Sequence, residues 1–274
     1  MVLSAVEKSA IGPPPFERII GIDYSGARTP TSSLKALRIY MADPLTSAPT
    51  EVSPPPGPNK YWTRNGIATW LVAMLSQDRP SLVGIDHGFS FPLRYFETHL
   101  LPPDDWPAFL DDFQAHWPTD GDHTYVDSVR DGLKGCAADR GGQARWRRLT
   151  EKRAGAAKSV FHFDVPGSVA KSTHAGLPWL RYLRAQAGDR IHFWPFDGWT
   201  VPDGKSLVAE IYPALWNRDY ATEGRTPDQH DAWTAAEHLR RAYADGRLTA
   251  FFKPSLTAEE RLTAETEGWI LGVP

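Results

Sequence analysis

Residues 18–25 read RIIGIDYS and predict a short buried strand that ends in a carboxylate. Its three isoleucines favour a strand, and Asp23 follows where a polar, glycine-containing exit begins. Residues 81–87, SLVGIDH, repeat the pattern and place Asp86 at the end of a second strand. A single aspartate after a strand often only caps a turn, but the repetition favours a functional pair. We therefore expect Asp23 and Asp86 to lie side by side in a pocket for a hard divalent cation.

The chain between these two strands has the pattern of an α/β sheet. Residues 34–41 alternate apolar and polar side chains and predict a strand antiparallel to the first. The proline-rich stretch 43–59 predicts a loop with at most a short edge strand. Residues 64–77 carry apolar side chains at helical spacing, so a core-facing helix should lead into the strand that bears Asp86. This order predicts a mixed sheet with acids at one edge.

A third acid lies inside a later apolar strand. Residues 206–212, SLVAEIY, predict a strand that follows another at 189–196, and Glu210 shares one face with Val208. A buried, unpaired carboxylate is costly, so Glu210 should have a metal ion, a cationic side chain or a proton as its partner.

Two further acids open the helix predicted over residues 226–246. Asp228 and Asp231 fall in its first turn, where acids are usually structural because the helix N-terminus favours negative charge. Another helix is expected over 104–113. The tail should begin as a helix capped by Thr257 and end in a packing hook or a last strand, EGWILGV.

The segment 134–184 differs from the rest of the chain in charge. It holds eleven Lys and Arg against three Asp and Glu, whereas the whole chain has a net charge of −3. Aromatic residues are interleaved with the positive charge, which is typical of a surface that binds nucleic acid. A solvated basic helix over 143–158 is the alternative, and 166–168 and 173–178 read as loops. The candidate substrate-binding residues are Arg145, Arg147, Arg148, Lys152, Lys171 and His87.

Composition limits the remaining possibilities. The 274 residues allow a large core, and the single cysteine excludes an internal disulfide and suits a reducing compartment. The sequence has no apolar run long enough to cross a membrane, and residues 1–16 predict a flexible arm rather than a signal peptide. We therefore expect a cytoplasmic protein without a membrane partner. The sequence carries no signal for its oligomeric state.

Five motifs together resemble a known family: GIDYSG, VGIDHGFSFP, AEIYPALW, DQHDAWTAAEHLRRA and EGWILGV occur in this order. They are similar to the bacterial domain-of-unknown-function family 429, whose members are predicted RNase H-like nucleases. The resemblance implies an α/β fold over residues 17–274: an RNase H-like mixed sheet with flanking helices, and a basic, aromatic-rich insertion at about 100–200 that no motif anchors. By resemblance, the catalytic and metal-binding acids are Asp23, Asp86, Glu210 and Asp231, with Asp228 as a further metal ligand.

These acids predict a nuclease that hydrolyses phosphodiester bonds with two Mg²⁺ or Mn²⁺ ions. Asp23 would bridge the ions, while Asp86 and Asp231 or Glu210 complete their shells. One alternative is a non-catalytic protein of the same fold that binds nucleic acid or another ligand. The other is an ATP-dependent phosphotransferase of actin-like fold, which needs a glycine-rich phosphate loop after the first strand. The corresponding stretch here, DYSGARTPTSS, has a single glycine.

Overall fold

The structure, a computed structural model, describes residues 15–45, 47–164 and 169–274. Its strands are β1 (Arg18–Asp23), β2 (Arg38–Ala42), β3 (Thr50–Glu51), β4 (Ser81–Asp86), β5 (Ile191–Trp194) and β6 (Ser206–Glu210). Its α-helices are α1 (Arg64–Leu75), α2 (Leu93–His99), α3 (Trp106–His116), α4 (Val126–Arg130), α5 (Leu149–Arg153), α6 (Val169–Ala187), α7 (Pro227–Ala244), α8 (Leu248–Phe251) and α9 (Ala258–Glu267).

The six strands of the described residues form one mixed sheet in the order β3-β2-β1-β4-β6-β5. Strand β2 is antiparallel to both of its neighbours, β1 and β3. Strands β4 and β6 run parallel to β1, and the outermost strand β5 runs parallel to β6. The carboxyl ends of these four parallel strands therefore lie along the same side of the sheet, which is where ligands bind in open α/β sheets. The α/β class expected from the sequence is confirmed.

Each face of the sheet covers a separate hydrophobic core. The face that carries Ile20, Ile22 and Val83 packs against α1, α3 and α6. The opposite face, with Ile19 and Leu82, packs against α7 and the C-terminal tail. Successive side chains along a strand point to opposite faces of the sheet, so neighbouring residues in β1 or β4 face different cores.

Helix α7 lies unusually close to β1 because of a glycine. A methyl group on Gly21 would be 2.4 Å from the Ala232 carbonyl oxygen and 2.5 Å from the Ala236 nitrogen. Only a residue without a side chain permits this contact between the backbones of strand and helix. The first turn of α7 is thereby fixed beside the carboxyl end of β1.

Most elements agree with the sequence pattern, but two predictions within the basic segment are wrong. Residues 143–158 contain only the short helix α5, which is followed by Gly155 at φ +71°. Residues 173–178 are not a loop but part of α6, although they contain Gly176 and Pro178. Gly176 packs against the His87 ring, where a Cβ would be 2.4 Å from Nε2, so tertiary packing outweighs the low helix propensity.

The N-terminal end of the described chain differs from the prediction, whereas the C-terminal end agrees with it. The arm predicted over 1–16 and the loop predicted at 166–168 lie outside the described residues, apart from Pro15 and Phe16. Phe16 is buried against the α7 side of the sheet rather than part of a flexible arm. At the other end, Trp269, Ile270 and Leu271 form the expected packing hook. Among the described residues, no helix is both long and apolar enough to cross a membrane.

Candidate functional site

The centre of the candidate site is a pair of aspartates on adjacent strands. Asp23 and Asp86 are direct partners in the parallel register of β1 and β4, at the last residue of each strand. Register partners in neighbouring strands are about 5 Å apart and share a face. The structure thus brings together the two residues that the repeated Gly-Ile-Asp motif singled out.

Helix α7 adds two acids to this pair. Thr226 caps the helix and forms a reciprocal capping box with Gln229, which fixes where the helix begins. Asp228 and Asp231 consequently fall in the first turns, above the carboxyl ends of β1 and β4. The amide of Asn217 donates a hydrogen bond of 3.0 Å to Asp231.

Asp23, Asp86, Asp228 and Asp231 open onto one cavity of about 350 Å³, which we call the aspartate cleft. Tyr24 and Ser25 after β1, Tyr212 after β6 and Lys158 line its walls, as do Ala36, Val169 and Ser172. The first turn of α6 and the side chain of Lys158 therefore complete a site founded on the carboxyl ends of the strands. A cavity of this volume falls within the range of small-ligand pockets.

The electrostatics of the aspartate cleft disfavour full ionisation. Burial, and then the charges of Asp86, Asp228 and Asp231, raise the pKa of Asp23 well above its ordinary value. Burial also raises the pKa of Asp86 well above its ordinary value, with further increases from Asp231 and Glu210. The pKa of Asp228 is raised by burial as well, although nearby Arg38 partly offsets this. The cleft would therefore gain stability from a bound cation.

The donor set fits a hard divalent cation in chemistry but is not gathered around one position. Four carboxylates are the ligands that Mg²⁺ and Mn²⁺ prefer. Within the ranges that the structure describes, however, no three His, Cys, Asp or Glu side chains converge closely enough to hold an ion. Like charges repel, which favours rotamers that keep the carboxylates apart. Ion binding would require these side chains to rotate inward.

Glu210 does not join the four aspartates. Its register partner in β4 is Ile85 rather than Asp86, so it lies on the opposite face of the sheet. There its carboxylate accepts two hydrogen bonds from the Arg148 guanidinium, at 2.6 and 2.7 Å, and one of 3.1 Å from the Phe89 amide. The sequence predicted a metal ion, a cationic side chain or a proton as the partner of Glu210, and the structure shows the cationic side chain. The assignment of Glu210 as a catalytic residue and metal ligand is therefore corrected.

Arg148 is likewise buried rather than available to a substrate. Only 1% of its side chain is exposed, and it binds Glu151 as well as Glu210 and the Glu267 carbonyl. The side chain of Glu267 accepts hydrogen bonds from the amides of Leu93 and Leu149. We call Arg148, Glu151, Glu210 and Glu267 the arginine cluster. Its members join α5 and the end of α9 to the sheet.

His87 also lies outside the aspartate cleft. Its ring packs between Tyr24 and Phe89, and its Nδ1 donates a hydrogen bond of 2.9 Å to the Gly88 carbonyl. Burial lowers the pKa of His87 to about 4, so the ring is neutral at physiological pH. Its position indicates a role in packing, not contact with a phosphate.

The other predicted substrate-binding residues lie apart from the aspartates. Arg145, Arg147 and Lys152 line a separate groove of about 390 Å³ with Trp146. Arg147 uses its guanidinium to hold the carbonyls of Gly155 and Ala157. Lys171 forms an ion pair of 2.8 Å with Asp127.

Sequence reasoning missed Lys158 and Tyr212, which line the aspartate cleft. Lys158 lies in the basic segment, and its sequence context does not distinguish it from the other basic residues there. Tyr212 follows Glu210 by two residues, and burial together with the charges of Asp86 and Asp231 raises its pKa. For the aspartates themselves, the glycine two residues before each one, Gly21 and Gly84, indicates a closely packed strand face. Gly21 packs against the backbone of α7, and Gly84 packs against the side chains of Ile211 and Leu239.

Comparisons of the chain with protein-family models, with curated proteins and with solved structures found no match.

Proposed function

We propose that this protein is an RNase H-like, divalent-metal-dependent nuclease that hydrolyses phosphodiester bonds. The observation that carries the proposal is the register pair Asp23 and Asp86, joined in one cleft by Asp228 and Asp231. Strand order supports the RNase H-like assignment. An antiparallel β1-β2-β3 unit is followed by a helix and a parallel β4, with the acids at the shared edge.

The four aspartates would hold Mg²⁺ or Mn²⁺, and four carboxylates are enough for the two ions expected from the sequence. When bound, such ions supply a nucleophile at neutral pH and neutralise charge on the leaving oxygen. Asp23, Asp86 and Asp228, whose pKa values are raised, contribute by holding protons at their carboxylate oxygens and releasing them as a cation binds. This release therefore depends on pH above the ordinary aspartate range.

Other residues of the chain would orient the site. Asn217 fixes one carboxylate oxygen of Asp231 through its amide. Tyr212, whose raised pKa keeps its phenol neutral, can donate a hydrogen bond into the cleft. The capping box at Thr226 holds the first turn of α7 and with it the spacing between Asp228 and the strand ends.

The second candidate function is ligand binding without turnover. It is favoured by one observation: among the described residues, the carboxylates are not already converged on an ion position. The phosphotransferase alternative has weaker support. The single glycine of the loop after β1, Gly26, is packed against the backbone of α6, where a Cβ would be 2.0 Å from the Lys171 carbonyl oxygen.

A cleavage assay tests the proposal. Labelled single-stranded and double-stranded DNA and RNA are incubated with the protein and Mg²⁺, Mn²⁺ or EDTA. We expect metal-dependent cleavage of at least one substrate, and loss of at least about 100-fold in rate for Asp23→Asn. Asp203→Asn, in an exposed turn, is the matched control and should cleave normally. Cleavage that survives Asp23→Asn would contradict the proposal. Binding without cleavage in the wild type would favour the second candidate.

A further inference from the structure

Lys158 is the one basic side chain among the described residues that line the aspartate cleft. It is exposed, and within the described part of the chain its ammonium group forms no ion pair or hydrogen bond. A lysine beside four carboxylates that pairs with none of them is available to a ligand. Lys35 and Arg38 lie near Asp228 at the rim, but Arg38 is paired with Glu51 at 2.7 Å.

The backbone around Lys158 is firmly held. Its neighbours Ala157 and Ser159 are buried, and the carbonyl of Ala157 accepts a hydrogen bond of 2.9 Å from Arg147. The Ser159 hydroxyl donates to the Trp146 carbonyl. Val160 packs directly against Gly88, two residues beyond Asp86, and a Cβ on Gly88 would be only 2.7 Å from the Val160 Cγ1. Lys158 is therefore a flexible side chain on a backbone fixed relative to the end of β4.

Most of the positive charge in the surrounding basic segment is already neutralised. Six of its eleven basic side chains form ion pairs with acids: Arg140, Arg148, Arg153, Lys171, Arg181 and Arg184. Among the described residues, five of the eleven form no ion pair, and only one of these five, Lys158, lines the aspartate cleft. Recognition of a phosphate inside the cleft therefore depends on Lys158 more than on the rest of this segment.

We infer that Lys158 binds a phosphate group of the substrate in the aspartate cleft, as a positioning residue for the reacting phosphodiester. The inference rests on the proposed function and specifies how that site recognises its substrate. Four carboxylates repel a phosphate, and a cation that lines the same cleft offsets this repulsion. The first turn of α6, through Val169 and Ser172, also lines the cleft and adds the positive end of a 19-residue helix.

Equilibrium binding of a fluorescein-labelled single-stranded oligonucleotide tests this role. Anisotropy is measured with Ca²⁺ at several salt concentrations for wild type and for Lys158→Met. We expect affinity to fall on the order of tenfold, and the slope of log K against log salt to become shallower by about 0.7, the value for one phosphate contact. Lys158→Arg should restore most of the affinity.

Two controls separate this effect from a change in fold or in general charge. Lys253→Met removes an exposed lysine that lies outside the cleft and should bind within about twofold of wild type. Lys35→Met tests the rim and should have a smaller effect than Lys158→Met. Thermal melting checks that each variant is folded.

The outcomes distinguish this inference from the proposed function. If Lys158→Met weakens binding and flattens the salt slope while the wild type cleaves nothing, the phosphate-binding role of Lys158 stands and the nuclease proposal fails. If the wild type cleaves but Lys158→Met binds and cleaves normally, the nuclease proposal stands and the inference is overturned. Absence of any oligonucleotide binding by the wild type also overturns the inference.

Discussion

The aspartate cleft and the arginine cluster are two groups of carboxylates at the same end of the sheet, and they differ in their counterion. In the arginine cluster, Glu210 and Glu151 share a guanidinium that is almost completely buried. In the cleft, the described residues supply no such cation between Asp23 and Asp86. The comparison shows that burial alone does not identify a metal ligand. What matters is whether the protein itself already provides the positive charge.

The pKa values of the residues in the arginine cluster and in the aspartate cleft reflect the same difference. Burial lowers the pKa of Arg148, but Glu210 and Glu151 outweigh it and raise the pKa overall, so the cation is locked in place. In the cleft, burial and neighbouring charges act in the same direction and raise the pKa of Asp23 and Asp86. The arginine cluster contains its own counterion, whereas a cation bound from solution would stabilise the aspartate cleft.

Removing the cation of the cluster should have the largest effect on stability. Arg148→Met leaves Glu210 and Glu151 buried and unpaired, and should lower the free energy of unfolding by about 3–5 kcal/mol. Urea denaturation followed by circular dichroism measures the loss. Because this variant can fail to fold, Glu210→Gln, which keeps a hydrogen-bonding side chain, provides a second and smaller destabilisation.

The matched control for this prediction is Arg181→Met. Arg181 forms an exposed ion pair with Asp111, and its loss should cost at most about 1 kcal/mol. Equal effects of Arg148→Met and Arg181→Met would show that the cluster does not stabilise the fold.

The contact between β1 and α7 should affect the cleft more than the cluster. Gly21→Ala forces a methyl group into the backbone of α7 and should lower stability by about 1–3 kcal/mol. It should also weaken Mn²⁺ binding, because Asp228 and Asp231 move away from the strand ends. Calorimetry and urea denaturation of the same variant measure both changes. Stability loss with unchanged Mn²⁺ affinity would contradict this account of how α7 positions the acids.

The smallest expected effect is an increase in the free energy of unfolding when an aspartate of the cleft is replaced. Without divalent cations, Asp23→Asn should stabilise the protein by about 1 kcal/mol at pH 8, because it removes a repelled carboxylate. A raised pKa means that the folded protein holds this proton more tightly than the unfolded chain. Asp23 therefore destabilises the fold as pH rises through its folded pKa, and the gain from Asp23→Asn should vanish in acid. Urea denaturation at several pH values tests this. A gain that persists in acid would exclude charge repulsion as its cause.

Much of the cleft could be predicted from local sequence because its main parts are local. The repeated Gly-Ile-Asp motif fixes both the strand and the position of the acid at its end. Thr226 and Gln229 mark where α7 begins, and hence where Asp228 and Asp231 lie. These signals depend on strand periodicity and capping, which act within a few residues.

Glu210 could not be placed from the sequence because its environment depends on sheet register. The predicted alternation of side chains along β6 is confirmed. The face that Glu210 occupies, however, depends on the register of β6 against β4, and a shift of one residue would reverse it. Its partner, Arg148, is 62 residues away, in a segment that forms only the short helix α5 and not the alternative helix over 143–158. Long-range pairing of this kind leaves no periodic signal. The same limitation hid Lys158, whose importance comes from the packing of Val160 on Gly88.

The most direct test of the account is Mn²⁺ binding, measured by calorimetry without substrate, for wild type, Asp23→Asn and Glu210→Gln. We predict that the wild type binds Mn²⁺, that Asp23→Asn weakens binding more than about tenfold, and that Glu210→Gln leaves affinity within about threefold. Thermal melting confirms that each protein is folded at the temperature of the titration. Loss of binding in Glu210→Gln with normal binding in Asp23→Asn would contradict the division between cleft and cluster. Absence of binding in the wild type would contradict the assignment of the aspartate cleft as a metal site.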